Sequence, residues 1–534
     1  MGARVRLIRI NNLVVPLVYD LKMIINVTVK KLQIDYTRIE RIKISKRSVN
    51  ASQKDDIHFN MTIDVEVSGD ENEVIYRNKD KCISKEIEII YIVPENKKIK
   101  VQPVVVGCGP AGLFAALILA EAGSNPILLE RGLDIDSRSE KVNKFWQTGI
   151  LDTKTNVQFG EGGAGAFSDG KLKTGKKDAR KLMVLSELVE AGAPPEIMYE
   201  SKPHIGTDRL NKTVKGIREK IIRLGGEVRF DSVVTEFLHK DGQMVGVHFL
   251  EKGKDSEIFT DNVVLAIGHS ARDTFENLLK NGVKIEQKAI AVGVRIEHPQ
   301  ELIDKIQYGG FAGHPAIGAA AYKMVVHLKN GRGVYTFCMC PGGAVVAAAS
   351  EENSLSTNGM SEYARAGRNA NTALLVTVNE EDFGSDHPLA GVDFQRRIEK
   401  AAFKAGGGKY KAPVQRLEDF LEKRATKTFG NLLPTYLPGT EFAEVDSYLP
   451  DYIADSLREA IIEMGEWMPG FAYKDALLTG AETRSSSPVR IVRGESFEAI
   501  GIKGLYPCGE GAGYAGGIIS AAVDGVLCAE KILG

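Results

Sequence analysis

Gly107, Gly109 and Gly112, followed at the end of the next apolar run by the carboxylate of Glu130, are residue types that a nucleoside pyrophosphate requires, at the spacing it requires. The run Val104-Val105-Val106 carries the chain into a tight turn at Gly107. Gly109 lets a phosphate approach the backbone, and Gly112 allows a helix to pack closely on the strand. The N–H groups of the helix that opens at Pro110 and Ala111 point at the phosphates. Glu130 ends the strand Ile127-Leu128-Leu129, where a carboxylate can accept hydrogen bonds from ribose hydroxyls.

Two more glycine-rich stretches lie far along the chain. Gly160 to Gly170 holds five glycines in eleven residues, and a loop of that kind, with Gly162 and Gly163 at its centre, can lie flat against a planar or anionic ligand. Leu505 to Ile518 contains Gly509, Glu510, Gly516 and Gly517 ahead of an apolar helix whose positive end would face the same ligand. Between them, the strand Asn262 to Ile267 stops at Gly268. A nicotinamide dinucleotide fills one βαβ crevice and would leave both stretches without a use; a longer dinucleotide would use them.

Several side chains near these stretches could do chemistry. Phe337-Cys338-Met339-Cys340-Pro341-Gly342-Gly343 invites a redox reading, yet a Cys-x-Cys pair closes only a strained ring. The plainer expectation is two small apolar residues sharing one face of a strand. Cys108 and Cys508 read as buried fillers, and His269 as a turn residue or a proton donor. Lys171 would either favour reduced cofactor as a cation or face solvent. Arg484 and Arg490 offer guanidinium forks to an anionic substrate or to an ion pair at a domain junction. No group of residues has metal-ligand spacing.

The elements that position these residues form several units, as 534 residues require. Residues 1–98 read as β-α-β-β-α-β, a ferredoxin-like α+β domain, with strands from Val5, Ile39 and Ile57, a helix near Glu73 to Lys81 and a last strand over Ile87 to Val93. Residues 99–287 and 471–534 form the two parts of a cofactor domain, and residues 288–470 an inserted α+β substrate domain. Residues 1–55 hold 12 Lys+Arg against 4 Asp+Glu, a net of +8. That excess suits RNA or an acidic partner, or equally a solvated sheet edge. The whole chain is near neutral, at −1. Six cysteines without framework spacing and no apolar run near the ~18 residues of a membrane span point to a cytoplasmic protein.

Together these segments resemble the glutathione-reductase-like FAD-binding superfamily, and in particular a bacterial group described as FAD-dependent oxidoreductases or NAD(FAD)-utilising dehydrogenases. The resemblance covers nearly the full length. It is strongest at Gly160 to Lys171, Phe337 to Gly343, Gly480 to Arg490 and Leu505 to Gly525. It implies an α/β fold with a Rossmann-like FAD-binding domain and non-covalent FAD. Gly107, Gly109 and Gly112 would hold the pyrophosphate and Glu130 the ribose. Arg131 and Arg138 would lie at the adenosine end, and backbone at Val233 or its neighbour at the adenine. Where that superfamily has Gly-Asp, this chain has Gly509-Glu510.

The expected activity is hydride transfer through flavin N5 to or from a small molecule, an anionic one if Arg484 binds it, with Lys171 the other candidate for catalysis. No second GxGxxG module follows, so NAD(P)H enters only as a transient donor. An RNA-modifying flavoprotein that uses the basic N-terminal domain, or a scaffold with structural FAD, are the alternatives.

Overall fold

The computed structural model describes residues 6–87, 89–172 and 178–534; Val5 and Glu88, both expected in strands, lie outside them. The first unit comprises β1 (Arg6–Val15), α1 (Leu21–Leu32), β2 (Ile39–Asn50), β3 (His58–Val67), α2 (Glu71–Arg77) and β4 (Ile83–Ile87). Its antiparallel sheet has the order β2-β3-β1-β4 of a ferredoxin-like plait. The alternation in β3 sends Phe59, Met61, Ile63 and Val65 into one core with Ile24, Leu32 and Val74 of the helices.

Two expected elements shift. Asp70 caps α2 by accepting from the Asn72 N–H, and Asn78 ends it, so the helix spans Glu71–Arg77 instead of reaching Lys81. The last strand then pairs with β1 over Ile83–Ile87, and the isoleucine run beyond it, read as a strand because it is β-branched, leaves Ile89, Ile90 and Ile92 exposed. Four of the twelve cations in residues 1–55 are paired with carboxylates within the fold. Arg9 pairs with Asp64 and Glu86, Lys31 with Asp80, Arg41 with Glu66, and Arg47 with Glu200 of the next unit.

The second unit is built on β5 (Val104–Val106), α3 (Pro110–Glu121), β6 (Ile127–Leu129), β7 (Glu227–Arg229), the antiparallel meander β8 (Ser232–Lys240), β9 (Gln243–Glu251) and β10 (Lys254–Phe259), and β11 (Val263–Leu265). Its parallel sheet runs Leu505–Pro507, β11, β5, β6, β7. Ala111 to Ala120 are all buried, so α3 is apolar all round and sits inside the core with the C-terminal helix Ile518–Leu533. Tyr91, Val93 and Ile99 pack on this same core. The expected boundary at residue 98 therefore cuts through a segment that belongs to the second unit.

The third unit centres on a seven-stranded sheet in which Ile290–Pro299 lies between Asn369–Val378 and Leu477–Glu482. Its core holds the largest apolar cluster, including Ile453, Leu457 and Ile461 of the helix Asp451–Trp467. Leu477–Glu482 is an inner strand of this sheet, so the insertion runs past the expected boundary at 470 and returns after Glu482. No helix among the described residues is long and apolar enough to cross a membrane.

Candidate functional site

The carboxyl ends of β5, β6 and β11 open into one cleft, where an open parallel sheet presents its ligand crevice. Gly107, Gly109, Pro110 and Ala111 line it from the first turn, Gly163 to Gly165 and Ser168 to Lys171 from the second glycine-rich loop, Gly268 from the end of β11, and Glu510, Gly516, Gly517 and Ile518 from the C-terminal segment. Ser232 and Val234, the neighbours of Val233, line it from β8, because alternation along that strand turns Val233 the other way. At the opposite end it reaches the inserted unit, at Phe337, Cys338, Cys340 and Glu482 of the seven-stranded sheet and at Asn358 and Gly359 of a two-stranded one.

The glycines divide into two groups. At Gly107, with φ +103°, a Cβ would run into the Ala266 carbonyl, and at Gly112 into the Gly107 carbonyl, so the protein itself demands glycine there. Gly162 and Gly163 also have positive φ, and Gly162 faces Ala166 and Val214 rather than the cleft. Gly509 is likewise turned inward, against Ala111, with its N–H donated to Asp524. The second group differs. A Cβ at Gly109 would make only ordinary contact with Gly163, at 3.8 Å, and at Gly516 and Gly517 nothing nearer than 4.0 Å lies in the way. These three line the cleft, and no protein atom explains them. A ligand lying against the backbone would.

Two helices begin at these glycines. α3 and the C-terminal helix both have a glycine N-cap, Gly109 and Gly517, that makes no side-chain capping bond. Their first N–H groups are thus free to meet negative charge, which suits a pyrophosphate at one and the electron-rich edge of a reduced flavin at the other.

Glu130 is buried, and its carboxylate ties the loops together. Oε2 accepts from the Cys108 N–H at 2.7 Å, and Oε1 from the Gly132 and Gly160 N–H groups at 2.9 Å each. Oε2 retains a lone pair for a ribose hydroxyl. Arg131 lines the cleft, pairs with Asp273 at 3.0 Å and lies 4.4 Å over the Phe159 ring.

Arg138 corrects an expectation. It does not reach the cleft but is fully buried, donating to the carbonyls of Asn156, Val157, Gly160 and Glu161, and so props the glycine-rich loop from beneath. Burial pulls its pKa down to about 10. Arg484 takes the second of its two expected roles, an ion pair at the junction of the units, and not that of a fork for an anionic substrate. It lines the cleft, yet its Nε and Nη2 donate to Glu399 at 3.0 and 2.9 Å, and its Nη1 to Ser270 and Ser350. Four of its five N–H groups are thereby used, leaving no fork for an anionic substrate.

Lys171 stands at the inserted-sheet end, with Nζ 3.2 Å from Asp169 and 3.9 Å from the Cys340 Sγ. Asp169 is also held by two bonds from Arg365, and burial is overcome by these cations, which hold its carboxyl down at about 2. Cys338 and Cys340 do not simply share a face. The register slips between Phe337 and Cys340, a bulge with φ +45° at Cys338, so that Met339 enters the core while Phe337, Cys338 and Cys340 all line the cleft.

His269 lies beside Ser270, with Nδ1 3.0 Å from its Oγ and Nε2 4.0 Å from the Glu510 carboxylate. Burial and the nearby guanidiniums of Arg484 and Arg272 pull it down to about 3, so it is neutral and no proton donor at pH 7. Burial pushes Glu510 up to about 7, against the pull of Lys288. Cys508 and Cys528 gather with Asp524 within 4.8 Å, but that carboxylate is engaged by Arg493 at 2.7 Å and by the Gly509 N–H.

Asp169, Asn358, Glu482 and the flank of Phe159 were not singled out in the sequence. Asp169 and Phe159 sit in or beside the second glycine-rich stretch, while no sequence motif marks Asn358.

Residues 289–485 match the family described as FAD-dependent protein, C-terminal domain-like, and residues 7–66 match a domain of unknown function. A Clostridium beijerinckii protein described as an uncharacterized protein is 52% identical over 529 residues, covering 98% of each chain. Among solved structures, a flavin-dependent brominase triple mutant is similar over 81% of this chain and 80% of its own, at 14% identity and a TM-score of 0.38. The 3-ketosteroid-Δ4-(5α)-dehydrogenase of Rhodococcus jostii RHA1 covers 82% of this chain and 98% of its own, at 15% identity and a TM-score of 0.35. Likeness of that degree carries no argument about chemistry. The cleft and the matched family together make FAD the cofactor.

Proposed function

We propose that this chain, which belongs to the protein family of the Clostridium beijerinckii relative, is an oxidoreductase that uses non-covalent FAD. The observation that carries the reading is the single cleft onto which two uncapped helix N-termini open, with Gly109, Gly516 and Gly517 unexplained by any protein contact. Bound there, FAD would supply two-electron transfer through its N5. The chain supplies position. α3 and Gly109 meet the pyrophosphate, Glu130 the ribose, and Ser232 and Val234 the adenine, while Gly163 to Gly165 and Ile518 border the ring. The inserted sheet closes the other side with Phe337 and Cys340, which keeps water from the reacting carbon.

Six cysteines without disulfide-framework spacing fit the reducing cytoplasm. Electrons would come from NADH or NADPH docking transiently. The RNA reading gains no support from the ion pairs that neutralise Arg9, Lys31, Arg41 and Arg47. The test is to denature purified protein with acid, identify the released flavin, and follow anaerobic reduction of the intact protein by NADH, NADPH and candidate metabolites at the flavin absorbance. FMN or nicotinamide dinucleotide in place of FAD, or FAD that nothing reduces, would overturn the proposal.

A further inference from the structure

Building on the oxidoreductase reading, we propose that the substrate is an uncharged carbonyl compound, seated against Phe337 and Cys338 with its oxygen on the Lys171 ammonium. The charges of the cleft carry the first half of this. Among the described residues, the Lys and Arg side chains that line it are Arg131, Lys171 and Arg484. Each already faces a carboxylate: Asp273 at 3.0 Å, Asp169 at 3.2 Å and Glu399 at 2.9 Å. A substrate carboxylate or phosphate would have to displace one of these partners, two of which, Asp169 and Glu399, are buried and would be left with one cation, Arg365 or Arg272, in place of two. At the inserted-sheet end the cleft adds Glu482, itself bound by the buried Arg295 at 2.8 Å, which sets a further carboxylate where an anion would have to sit.

The second half is the donor that remains. An ammonium carries three N–H groups. Asp169 takes one from Lys171 and the Cys340 sulfur faces another at 3.9 Å, so one is left for an acceptor in the cleft. Around it, besides Asn358 and the Glu482 carboxylate held by Arg295, the surface is apolar or backbone. The bulge turns Phe337, Cys338 and Cys340 together toward the cleft, and Gly359 is kept free of a side chain because a Cβ there would strike Arg295 and Asn371. An apolar body with a neutral oxygen acceptor fits that surface, and a strongly hydrated anion does not.

The proposal is tested by calorimetric titration of the FAD-loaded protein at pH 7 with acetophenone and with benzoate, similar in size and different in charge. Acetophenone should bind at least about tenfold more tightly. Lys171→Met should weaken acetophenone by about tenfold, the loss of one charge-assisted hydrogen bond, with little effect on benzoate. Asp169→Asn, which releases Lys171 and Arg365 from their partner, should strengthen benzoate by about tenfold. If that variant does not fold, Lys171→Met on its half-buried side chain still decides the matter. Benzoate binding as tightly as acetophenone, acetophenone indifferent to Lys171→Met, or neither probe binding in the millimolar range would overturn the inference. Flavin content is read on the same samples, so a protein lacking FAD would sink the oxidoreductase reading while the comparison of probes stood on its own.

Discussion

The carboxylate of Glu399 accepts from Nε and Nη2 of Arg484 at 3.0 and 2.9 Å, a two-bond pairing with both side chains withdrawn from solvent. The same carboxylate accepts from Arg272 at 2.8 and 2.9 Å, and the two guanidiniums hold it well below the usual carboxylate range. Glu399 lies in the helix Ala390–Ala405 of the inserted unit, whereas Arg272 opens the helix that follows β11 and Arg484 stands on the returning chain. One buried acid thus fastens the inserted unit to the cofactor unit beside the cleft.

Arg484→Ala should therefore lower stability rather than act on substrate binding alone. Removing one partner of a buried pair typically costs about 3 to 5 kcal/mol, and Arg272 remains to hold Glu399, which places this case near the lower figure. Denaturant unfolding measures it. Full stability in the variant, with loss only of substrate-dependent flavin reduction, would restore the anion-binding role to Arg484.

Glu130→Ala should cost FAD affinity by more than the ribose contact alone. Three N–H groups, on Cys108, Gly132 and Gly160, lose their acceptor together, and each bond to a charged group contributes roughly 1.5 to 3 kcal/mol. The ratio of flavin to protein absorbance after gel filtration should fall at least about tenfold. An unchanged ratio in a folded variant would show that the loops hold their shape without this carboxylate.

Glu510 gives the FAD-free protein a pH dependence of defined sign. Its carboxyl is raised from 4.5 to about 7 in the folded chain, so the unfolded chain ionises first as pH rises. Stability is full below about pH 4.5 and is lost progressively up to about pH 7, by at most about 3 kcal/mol. Glu510→Gln removes the ionisation. The variant should gain on the wild type in thermal unfolding at pH 8 and not at pH 4; an equal difference at both would place the titration elsewhere.

What the sequence disclosed is what local geometry compels. A glycine that must turn or pack, as Gly107 and Gly112 must, leaves its mark in a few neighbouring residues, and so does the alternation of Phe59, Met61, Ile63 and Val65. Arg138 was misplaced because its partners are four backbone carbonyls, which have no residue type to betray them. The sequence leaves Arg484 between an anion and an ion pair because Glu399 lies 85 residues away, and does not mark Asp169 because Arg365 lies 196 away. Pairings at such separations are set by how one unit folds back on another, and periodicity does not record that. The bulge at Cys338 is hidden for the same reason, since it exists only in the register with Asn371 and Ala373.

The N-terminal plait can be removed, provided the cut respects the segment behind it. Tyr91, Val93 and Ile99 pack on the core of the cofactor unit, and the Tyr91 hydroxyl donates to Glu530 of the C-terminal helix at 3.0 Å. A chain beginning at residue 89 should keep its FAD, while one beginning at 100 loses three apolar contacts, each worth on the order of 1 to 3 kcal/mol, and should melt lower. Equal melting of the two would mean that the segment adds nothing to the core. Loss of FAD from both would mean that the Arg47 contact with Tyr199 and Glu200 supports the cofactor loops.

The sharpest separation lies between glycines that the protein needs and glycines that the cofactor needs. Gly107→Ala puts a Cβ against the Ala266 carbonyl at a φ of +103° and should prevent folding or leave an insoluble chain. Gly109→Ala and Gly516→Ala meet no protein atom closer than 3.8 Å and need no positive φ, so both variants should fold with near-wild-type melting temperatures. Each places a methyl group in the cleft where the pyrophosphate or the flavin edge would approach the backbone, and each should therefore be isolated pale, with FAD affinity reduced about tenfold or more. Full FAD occupancy in a well-folded Gly109→Ala variant would falsify the placement of the pyrophosphate at the start of α3, since nothing else in the structure asks for glycine at that position.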